Sequence, residues 1–416
     1  MTMTDLLLEN ISLDGRVTNI AIKQGKFVDL NANSELPAQE KFDASGLAIV
    51  PSFHNTHTHA AMTLLRGFAD DMPLFTWLNE HIWPMEAKLT SQDIYDGSRL
   101  AILEMIKSGT TFFADMYWDV EQTIRAVDEM GIRAAIGVTF MDRMGEEQIA
   151  QNIKFLENWQ DPSNGRIHLT LAPHAIYTVS APLLKRCART AQELGLMLTI
   201  HLSETEQEVE DCIKAHGLTP VRWLDHLGVL GSNVVVAHCI HVDHEEMQIL
   251  AQHGTTIAHN HCSNMKLGSG IFASADLQSV QCHLTIGTDG ASSNNNLDMR
   301  EEMKFASLLA KTRYESSTLK ANEVFAWATV NGAKAFGLNA GRIAQGALAD
   351  AVLLDLSNER LVPNYNLISN WVYAADSSAV DSVLCDGKFV MRHGYVDNEE
   401  EILACAKACA ERLVSK

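Results

Sequence analysis

The segment LAIVPSFHNTHTH, residues 47–59, places a run of apolar residues directly before a group of histidines. His57 and His59 are two residues apart, and residues two apart on an extended chain point to the same side, so both imidazoles can reach one point. His54 has the opposite parity and is expected to face away. Two imidazoles at the end of an apolar strand indicate a metal site whose other ligands lie elsewhere in the chain.

Further apolar runs follow this segment, with helical patterns between them. They are TTFFADM (110–116), IRAAIGVTF (132–140), RIHLTLAPH (166–174), LMLTIHLSE (196–204), NVVVAHC (233–239), GTTIAHN (254–260) and CHLTIGTD (282–289). Apolar strands that alternate with helices predict a parallel sheet buried on both faces. Eight such units over about 290 residues predict a (β/α)8 barrel of the TIM type in residues 51–345. A doubly wound open sheet is the alternative, but no G-x-G-x-x-G follows the first strand, so nothing favours dinucleotide binding.

The two ends of the chain differ from this middle part. Residues 1–50 and 346–416 show short strand patterns separated by glycine and Asp-Gly turns. The last segment, residues 398–416, spaces its apolar residues like an amphipathic helix. Neither end is large enough to fold alone, so we expect both termini to combine into one small composite β-sandwich domain.

The composition is that of a globular protein, with 46% hydrophobic and 20% charged residues among 416. The formal net charge of -20 argues against a nucleic acid partner. No apolar stretch reaches the roughly 18 residues that a membrane span requires, and the N-terminal residues lack the features of a signal peptide. We therefore expect a cytoplasmic enzyme that acts on a neutral or zwitterionic small molecule, with no membrane partner.

Polar residues stand at the carboxyl ends of most predicted strands. The fourth, fifth, sixth and eighth strands end at His174, His201, His238 and Asp289. Taken singly, each could be a structural histidine or a turn residue, but in a barrel all these ends meet around one mouth, where active sites are built. The predicted ligands of one divalent cation, zinc or iron, are His57, His59, His201 and Asp289.

Two further residues near this mouth can move protons or stabilise charge. Glu204 comes three residues after His201, and a carboxyl beside an activated water can pass its proton to a substrate heteroatom. Glu204 is alternatively an acid at a helix N-terminus with Ser203 as the cap, and both interpretations can hold together. His238 is predicted to orient the water or to stabilise developing negative charge.

Several motifs together resemble the amidohydrolase superfamily, and in particular its branch of 5'-methylthioadenosine/S-adenosylhomocysteine deaminases. These motifs are NTHTHAAMTLLRGFADD, WPMEAKL, APHAIYT, IHLSET, AHC, SNMKLGSG and GTDGASSNN, within residues 50–300. The resemblance implies a distorted (β/α)8 barrel with a composite β-sandwich and one metal ion, usually zinc, on the four predicted ligands. It also implies that Glu204 shuttles protons, that His238 helps to activate water, and that Glu86 and His174 contact a nucleoside.

The activity that this resemblance implies is hydrolytic deamination of a 6-aminopurine nucleoside, with release of ammonia. The alternatives are an aminohydrolase or chlorohydrolase acting on a pterin, guanine, cytosine or triazine, and a binding protein without catalysis. Glu204 and His238 argue against the last, because binding alone needs no proton shuttle. The resemblance is also compatible with a homo-oligomer.

Two positions depart from the pattern of this branch. Val138 stands where an arginine that helps to hold the substrate is expected, and only Arg143 is near it in sequence. His261 stands where a proline is expected, and together with His259 it either lines the pocket or satisfies loop backbone. These departures leave open how the 5' substituent of the ribose is held.

Overall fold

The computed structural model describes residues 3–163 and 165–415, so residues 1, 2 and 416 of the predicted terminal domain lie outside it. The first five strands are β1 (Thr4–Leu13), β2 (Arg16–Lys23), β3 (Lys26–Asp29), β4 (Ala38–Asp43) and β5 (Leu47–Pro51). The next eight are β6 (Phe53–Thr58), β7 (Thr110–Tyr117), β8 (Arg133–Phe140), β9 (Ile167–Pro173), β10 (Met197–Leu202), β11 (Val234–His238), β12 (Thr256–His259) and β13 (His283–Ile286). The last three are β14 (Ala351–Asp355), β15 (Val380–Cys385) and β16 (Lys388–Met391).

The helices lie mainly between the strands of the middle part. Up to β10 they are α1 (Leu74–Thr76), α2 (Trp83–Glu86), α3 (Ser91–Ser108), α4 (Val120–Met130), α5 (Gly145–Glu157) and α6 (Ala181–Leu194). After β10 come α7 (Glu206–His216), α8 (Pro220–Leu227), α9 (His244–His253), α10 (His261–Lys266) and α11 (Ser274–Ser279). The last five are α12 (Met299–Arg313), α13 (Ala321–Ala326), α14 (Gly332–Ala335), α15 (Leu367–Tyr373) and α16 (Glu399–Val414). Within the described part of the chain, none of the helices has the length and apolar character needed to cross a membrane.

Strands β6 to β13 form one parallel sheet in which each strand pairs with its neighbours in chain order. The sheet curls until its two edge strands, β6 and β13, meet. The contact is seen in the backbone N–H of Asp289, just after β13, which donates to the carbonyl of His57 in β6 at 3.0 Å. The hydroxyl of Thr56 also donates to the carbonyl of Ile286 at 2.9 Å. This arrangement confirms the predicted (β/α)8 barrel and excludes the open sheet.

A second sheet contains strands from both ends of the chain, in the order β16-β15-β14-β5-β1-β2-β3, with β4 paired to β1. Its parallel and antiparallel pairs enclose a separate apolar cluster that includes Phe27, Phe42 and Leu353. The expectation that the two termini build one β-rich unit is therefore confirmed. The division of the chain after residues 50 and 345 stays a prediction.

The first apolar run was expected to form one strand that ends before the histidines, and this is wrong. The structure divides the run at Pro51: β5 pairs with β14 in the terminal sheet, and β6 begins the barrel. Proline has no N–H to donate, so the hydrogen-bond ladder of β5 ends at Pro51. The chain resumes at Phe53, whose N–H donates to the carbonyl of Gly109 at 2.9 Å. As a result His57 lies within β6, and His59 follows its end directly.

Candidate active site

The four residues predicted as metal ligands come together at the carboxyl ends of β6, β10 and β13. The Nε2 atoms of His59 and His201 are 3.3 Å apart. Oδ1 of Asp289 lies 3.2 Å from Nε2 of His59 and 3.6 Å from Nε2 of His57. His57 and His59 do share one side of the chain, whereas His54 faces away and packs against Phe112.

The hydrogen bonds around these imidazoles show what the cluster can bind. Nδ1 of His59 lies 2.6 Å from the carbonyl of Met116, and Nδ1 of His201 lies 2.7 Å from the carbonyl of His174. A carbonyl only accepts, so both Nδ1 atoms carry the proton and both Nε2 lone pairs point at each other. Nε2 of His57 is buried and has no hydrogen-bond partner. A cation between these atoms would satisfy all of them, and nitrogen and carboxylate donors suit zinc or iron.

Asp289 is held in place by the chain around it. Its φ of 61° turns the backbone sharply after β13, and the hydroxyl of Ser263 donates to Oδ2 at 2.6 Å. Burial opposes ionisation of this carboxyl, but hydrogen bonds from His57 and His59, when their Nε2 atoms carry protons, hold its pKa well below the usual range. Asp289 is therefore an anion aimed at the histidine cluster.

Glu204 and His238 stand beside the cluster at the ends of the neighbouring strands β10 and β11. Oε2 of Glu204 lies 3.7 Å from Nε2 of His238, and both side chains are buried. Burial raises the pKa of Glu204, so this carboxyl holds a proton more readily than an exposed one. Nδ1 of His238 lies 2.8 Å from Oδ1 of Asn264, and this contact orients the ring.

The helix after β10 does not begin where the sequence suggested. Ser203 is not its cap: α7 begins after Thr205, whose side chain accepts a hydrogen bond from the N–H of Glu208 at 3.2 Å. The φ of 52° at Ser203 turns the chain so that Glu204 points into the mouth of the barrel. The carboxylate of Glu208 fixes this turn by accepting from the N–H groups of Ser203 and Glu204 at 3.0 and 2.8 Å. Glu204 therefore precedes the helix and is not one of its first-turn acids.

A cleft of about 620 Å³, partly open to solvent, lies above the cluster and contains the remaining predicted residues. Glu86 lies at the end of α2 and accepts a hydrogen bond from the hydroxyl of Tyr117 at 2.7 Å; burial raises its pKa to about 7. His174 follows β9 with Nδ1 at 2.9 Å from the hydroxyl of Thr178, and burial lowers its pKa to about 3. The cleft thus presents an acid and a neutral imidazole to a bound molecule.

Three residues about which the sequence raised questions lie outside the lining of this cleft. His259 at the end of β12 and His261 at the start of α10 are both buried, with ring centroids 3.6 Å apart, and His259 stacks on Phe272. The ring nitrogens of His259 have no hydrogen-bond partner, so this side chain does not satisfy loop backbone and packs as a flat ring on Phe272. Val138 is buried in the main apolar core on the other side of β8, and alternation along this strand turns Thr139 towards the cleft instead.

The sequence did not indicate the apolar part of the cleft. The segment from α1 through the π-helix Trp77–Ile82 to α2 lies across the mouth and contributes Leu74, Trp77 and Trp83 to the lining. Met141, one residue after β8, also lines it. The only signal was the aromatic content of this segment, and such a pattern is equally typical of a core helix.

Comparison with known proteins gives consistent matches over nearly the whole chain. The model of the amidohydrolase family matches residues 48–390. A 5'-deoxyadenosine deaminase of Methanothermobacter thermautotrophicus is 43% identical over 95% of this chain and 94% of its own length. The 5-methylthioadenosine/S-adenosylhomocysteine deaminase 1 of Archaeoglobus fulgidus is 44% identical over 94% of both chains.

Solved structures agree with these matches. An adenosine deaminase from Xanthomonas campestris with bound zinc superposes with a TM-score of 0.94 at 31% identity, over 99% of both chains. An atrazine chlorohydrolase from Arthrobacter aurescens in complex with zinc has a TM-score of 0.88 at 20% identity, over 97% of this chain and all of the other. The second similarity shows a shared fold and no more.

Proposed function

The chain belongs to the amidohydrolase family, and on this basis we propose that it catalyses the metal-dependent hydrolytic deamination of an adenine nucleoside. The products are ammonia and the corresponding inosine analogue. The observation that carries the proposal is the cluster of His57, His59, His201 and Asp289, with Glu204 and His238 beside it. His238 also lies close enough to His57 and His201 to form a triad of possible ligands with them. The names of the similar enzymes favour 5'-methylthioadenosine, S-adenosylhomocysteine, 5'-deoxyadenosine or adenosine as substrate.

The metal would be held by four side chains, His57, His59, His201 and Asp289. A bound divalent metal supplies Lewis acidity that lowers the pKa of water towards about 7. Zinc is the first choice because a similar deaminase contains it, and iron accepts the same donors. The cysteines contribute nothing to this donor set.

Glu204 is the proposed proton shuttle. Its carboxylate takes a proton from the attacking water and delivers it to N1 of the purine while the water oxygen bonds to C6. Its raised pKa suits this role, because the proton must stay on the carboxyl between the two transfers. As the tetrahedral intermediate collapses, Glu204 or Asp289 takes the proton of the new C6 hydroxyl group and passes it to the amino group. The bond between C6 and nitrogen then breaks, a carbonyl forms at C6, and ammonia leaves.

His238 and Asp289 are proposed to stabilise the tetrahedral intermediate. Asn264 accepts from Nδ1 of His238 in this arrangement, so Nε2 faces Glu204 and the attacking oxygen. Asp289 is an anion fixed by Ser263 and accepts a hydrogen bond from the new hydroxyl group. Both groups are in position before the reaction and need no reorganisation.

Glu86 and His174 are proposed to bind the nucleoside. The carboxylate of Glu86 can accept hydrogen bonds from both ribose hydroxyls, and Tyr117 fixes its orientation. His174 stays neutral, so its ring can hydrogen-bond the purine without adding charge. Both residues line the same cleft as the metal cluster, so a nucleoside bound to them would have its base near the reacting groups.

The test is ammonia release from 5'-methylthioadenosine by purified protein whose metal content has been quantified. We expect turnover by the metal-loaded protein, and a decrease in kcat of about 100- to 10,000-fold in Glu204→Gln with the metal content unchanged. The matched control is Glu206→Gln, which changes an exposed acid at the start of α7. No ammonia from any adenine nucleoside would refute the proposal, and release of ammonia from a pterin or of chloride from a chlorinated triazine would then favour those substrates.

A further inference from the structure

Glu302 is a fully buried acid that lies outside the lining of the cleft. It belongs to the first turn of α12. Burial raises its pKa to about 8, and the described groups that oppose this rise are N–H and S–H donors, not cations. A buried carboxyl lowers the free energy of unfolding unless donors compensate for the lost water. The donors around Glu302 therefore indicate what this residue does.

The donors come from two segments that follow β12 and β13. The N–H of Cys262, near the start of α10, lies 3.3 and 3.2 Å from the two carboxyl oxygens of Glu302. Nδ2 of Asn294, after β13, donates to Oε1 at 2.8 Å. Ser263 directly follows Cys262, and Ser293 directly precedes Asn294. One carboxyl group thus anchors the chain next to each of these two serines.

Both serines hold the carboxylate of Asp289. The hydroxyl of Ser263 donates to Oδ2 at 2.6 Å, and the hydroxyl of Ser293 donates to the same oxygen at 3.2 Å. The other oxygen, Oδ1, faces Nε2 of His59 at 3.2 Å. Hydrogen bonds to one oxygen of a carboxylate determine where the other oxygen points. A shift of either serine would therefore turn Asp289 away from the histidine cluster.

We propose that Glu302 is a positioning residue, which fixes the two segments whose serines aim Asp289 at the metal. The same contact with Cys262 sets the place of Asn264, whose Oδ1 orients the ring of His238 at 2.8 Å. One buried acid thus controls the direction of a metal ligand and of a group beside the attacking water. This inference rests on the proposed function and adds to it a residue from outside the cleft.

The test measures zinc affinity by competition with a chelator, together with kcat and KM for 5'-methylthioadenosine. Glu302→Met keeps the length of the side chain and removes both acceptor oxygens. We expect it to lower zinc affinity about tenfold or more and kcat about 10- to 100-fold. KM should stay within about threefold, because Glu86 and His174 lie on other segments. Glu302→Gln retains an oxygen that can accept from Cys262 and Asn294, and it should restore most of both losses.

Glu246→Met is the matched control. Glu246 is also a buried acid near the start of a helix, and it accepts from the N–H of Asp243 at 2.8 Å. Its other partner is Arg222, so it contacts neither serine segment. We expect this variant to be less stable to heat but to keep zinc affinity and kcat within about twofold. Equal losses of zinc affinity in Glu246→Met and Glu302→Met would overturn the inference.

Wild-type zinc affinity in folded Glu302→Met would also overturn it, and so would a Glu302→Gln variant that is as impaired as Glu302→Met. If Glu302→Met does not fold, Asn294→Ala removes one of the two anchors and leaves Glu302 in place. We expect Asn294→Ala to lower zinc affinity at least about threefold. An unchanged affinity in that variant would contradict the positioning role.

A further comparison tests whether Glu302 acts through the serines. In Ser263→Ala/Ser293→Ala both hydroxyls are absent, so adding Glu302→Met should lower zinc affinity by no more than about threefold more. A further loss as large as in the wild-type background would show another route and overturn the inference. Zinc binding is measured without substrate. These outcomes therefore remain decisive even if no adenine nucleoside releases ammonia and the proposed function fails.

Discussion

At the scale of single residues, Glu86 gives the cleft a pH dependence of its own. Burial raises its pKa to about 7, so the carboxyl is protonated below this pH and ionised above it. Only the ionised form accepts hydrogen bonds from both ribose hydroxyls. We therefore expect kcat/KM for adenosine to rise about tenfold for each pH unit below about 7 and to level off above it, measured as a profile of initial rates.

Two controls separate Glu86 from other groups that titrate near neutrality. The Glu86→Gln variant should lose this limb of the profile, because an amide does not titrate. The wild-type protein acting on 2',3'-dideoxyadenosine should lose it too, because that substrate has no hydroxyls to donate. A limb that persists in both experiments would assign the titration to another group.

Asn264 is predicted to act through His238 as a positioning residue. Its Oδ1 lies 2.8 Å from Nδ1 of His238, so Asn264→Ala frees the ring to rotate. We expect kcat to fall about 10- to 100-fold, with KM and metal content nearly unchanged. Asn264→Asp, which keeps the acceptor oxygen, should restore most of the loss, whereas equal losses in both variants would contradict a positioning role.

The residues that could be predicted from the sequence are those whose placement follows from local geometry. His57 and His59 share a side because side chains alternate along an extended chain. Asn264 could not be assigned in this way, because it follows β12 in the chain yet contacts a side chain at the end of β11. The sequence position of Val138 suggested that it could take part in holding the substrate. The structure shows that its side chain lies on the side of β8 that faces the apolar core.

At the scale of single elements, the closure between β6 and β13 depends on a glycine. A Cβ at Gly287 would lie 2.7 Å from the backbone N and O of His57 and 2.6 Å from Oδ1 of Asn260. Gly287→Ala should therefore push apart the two strands that carry His57 and Asp289. We expect a loss of about 1–3 kcal/mol in the free energy of unfolding, together with metal affinity reduced about tenfold or more.

Thermal melting and the metal retained after dialysis measure both effects. Gly231→Ala is the matched control, because its new Cβ would meet only the end of the Asn233 side chain, at 2.9 Å. If Gly287→Ala bound metal as tightly as the wild type, the close approach of the strands would not determine the geometry of the site.

The strand predictions succeeded where apolar runs were separated by helices and failed where two strands adjoin. LAIVP and FHNTHT form one apolar stretch in the sequence, but they belong to different sheets. Pro51 was the local sign of a strand end. Whether the chain changes sheets at Pro51 depends on β14, which pairs with β5. Strand β14 lies about 300 residues further along the chain, and local hydrophobic periodicity does not show which distant strands pair.

At the scale of the whole molecule, Arg133 joins the barrel to the terminal sheet. It begins β8, and its Nε and Nη2 donate to Asp350 at 2.8 Å and to Asp386 at 2.6 Å. The side chain of Asp350 is fully buried and that of Arg133 is 3% exposed. These contacts join the C-terminal part of the second sheet to the amino end of the barrel, and no motif in the sequence indicated them.

Arg133→Met should destabilise the protein because it leaves the carboxylate of Asp350 buried without its partner. We expect the free energy of unfolding, measured by urea titration, to fall by about 3–5 kcal/mol. The double variant Arg133→Met/Asp350→Asn removes both charges and should recover part of this loss, whereas breaking the exposed pair with Arg189→Gln should cost at most about 1 kcal/mol. Because Arg133 lies at the end of β8 opposite the cleft, kcat of the folded variant should match that of the wild type. If Arg133→Met were as stable as the wild type, this ion pair would not be what holds the two sheets together.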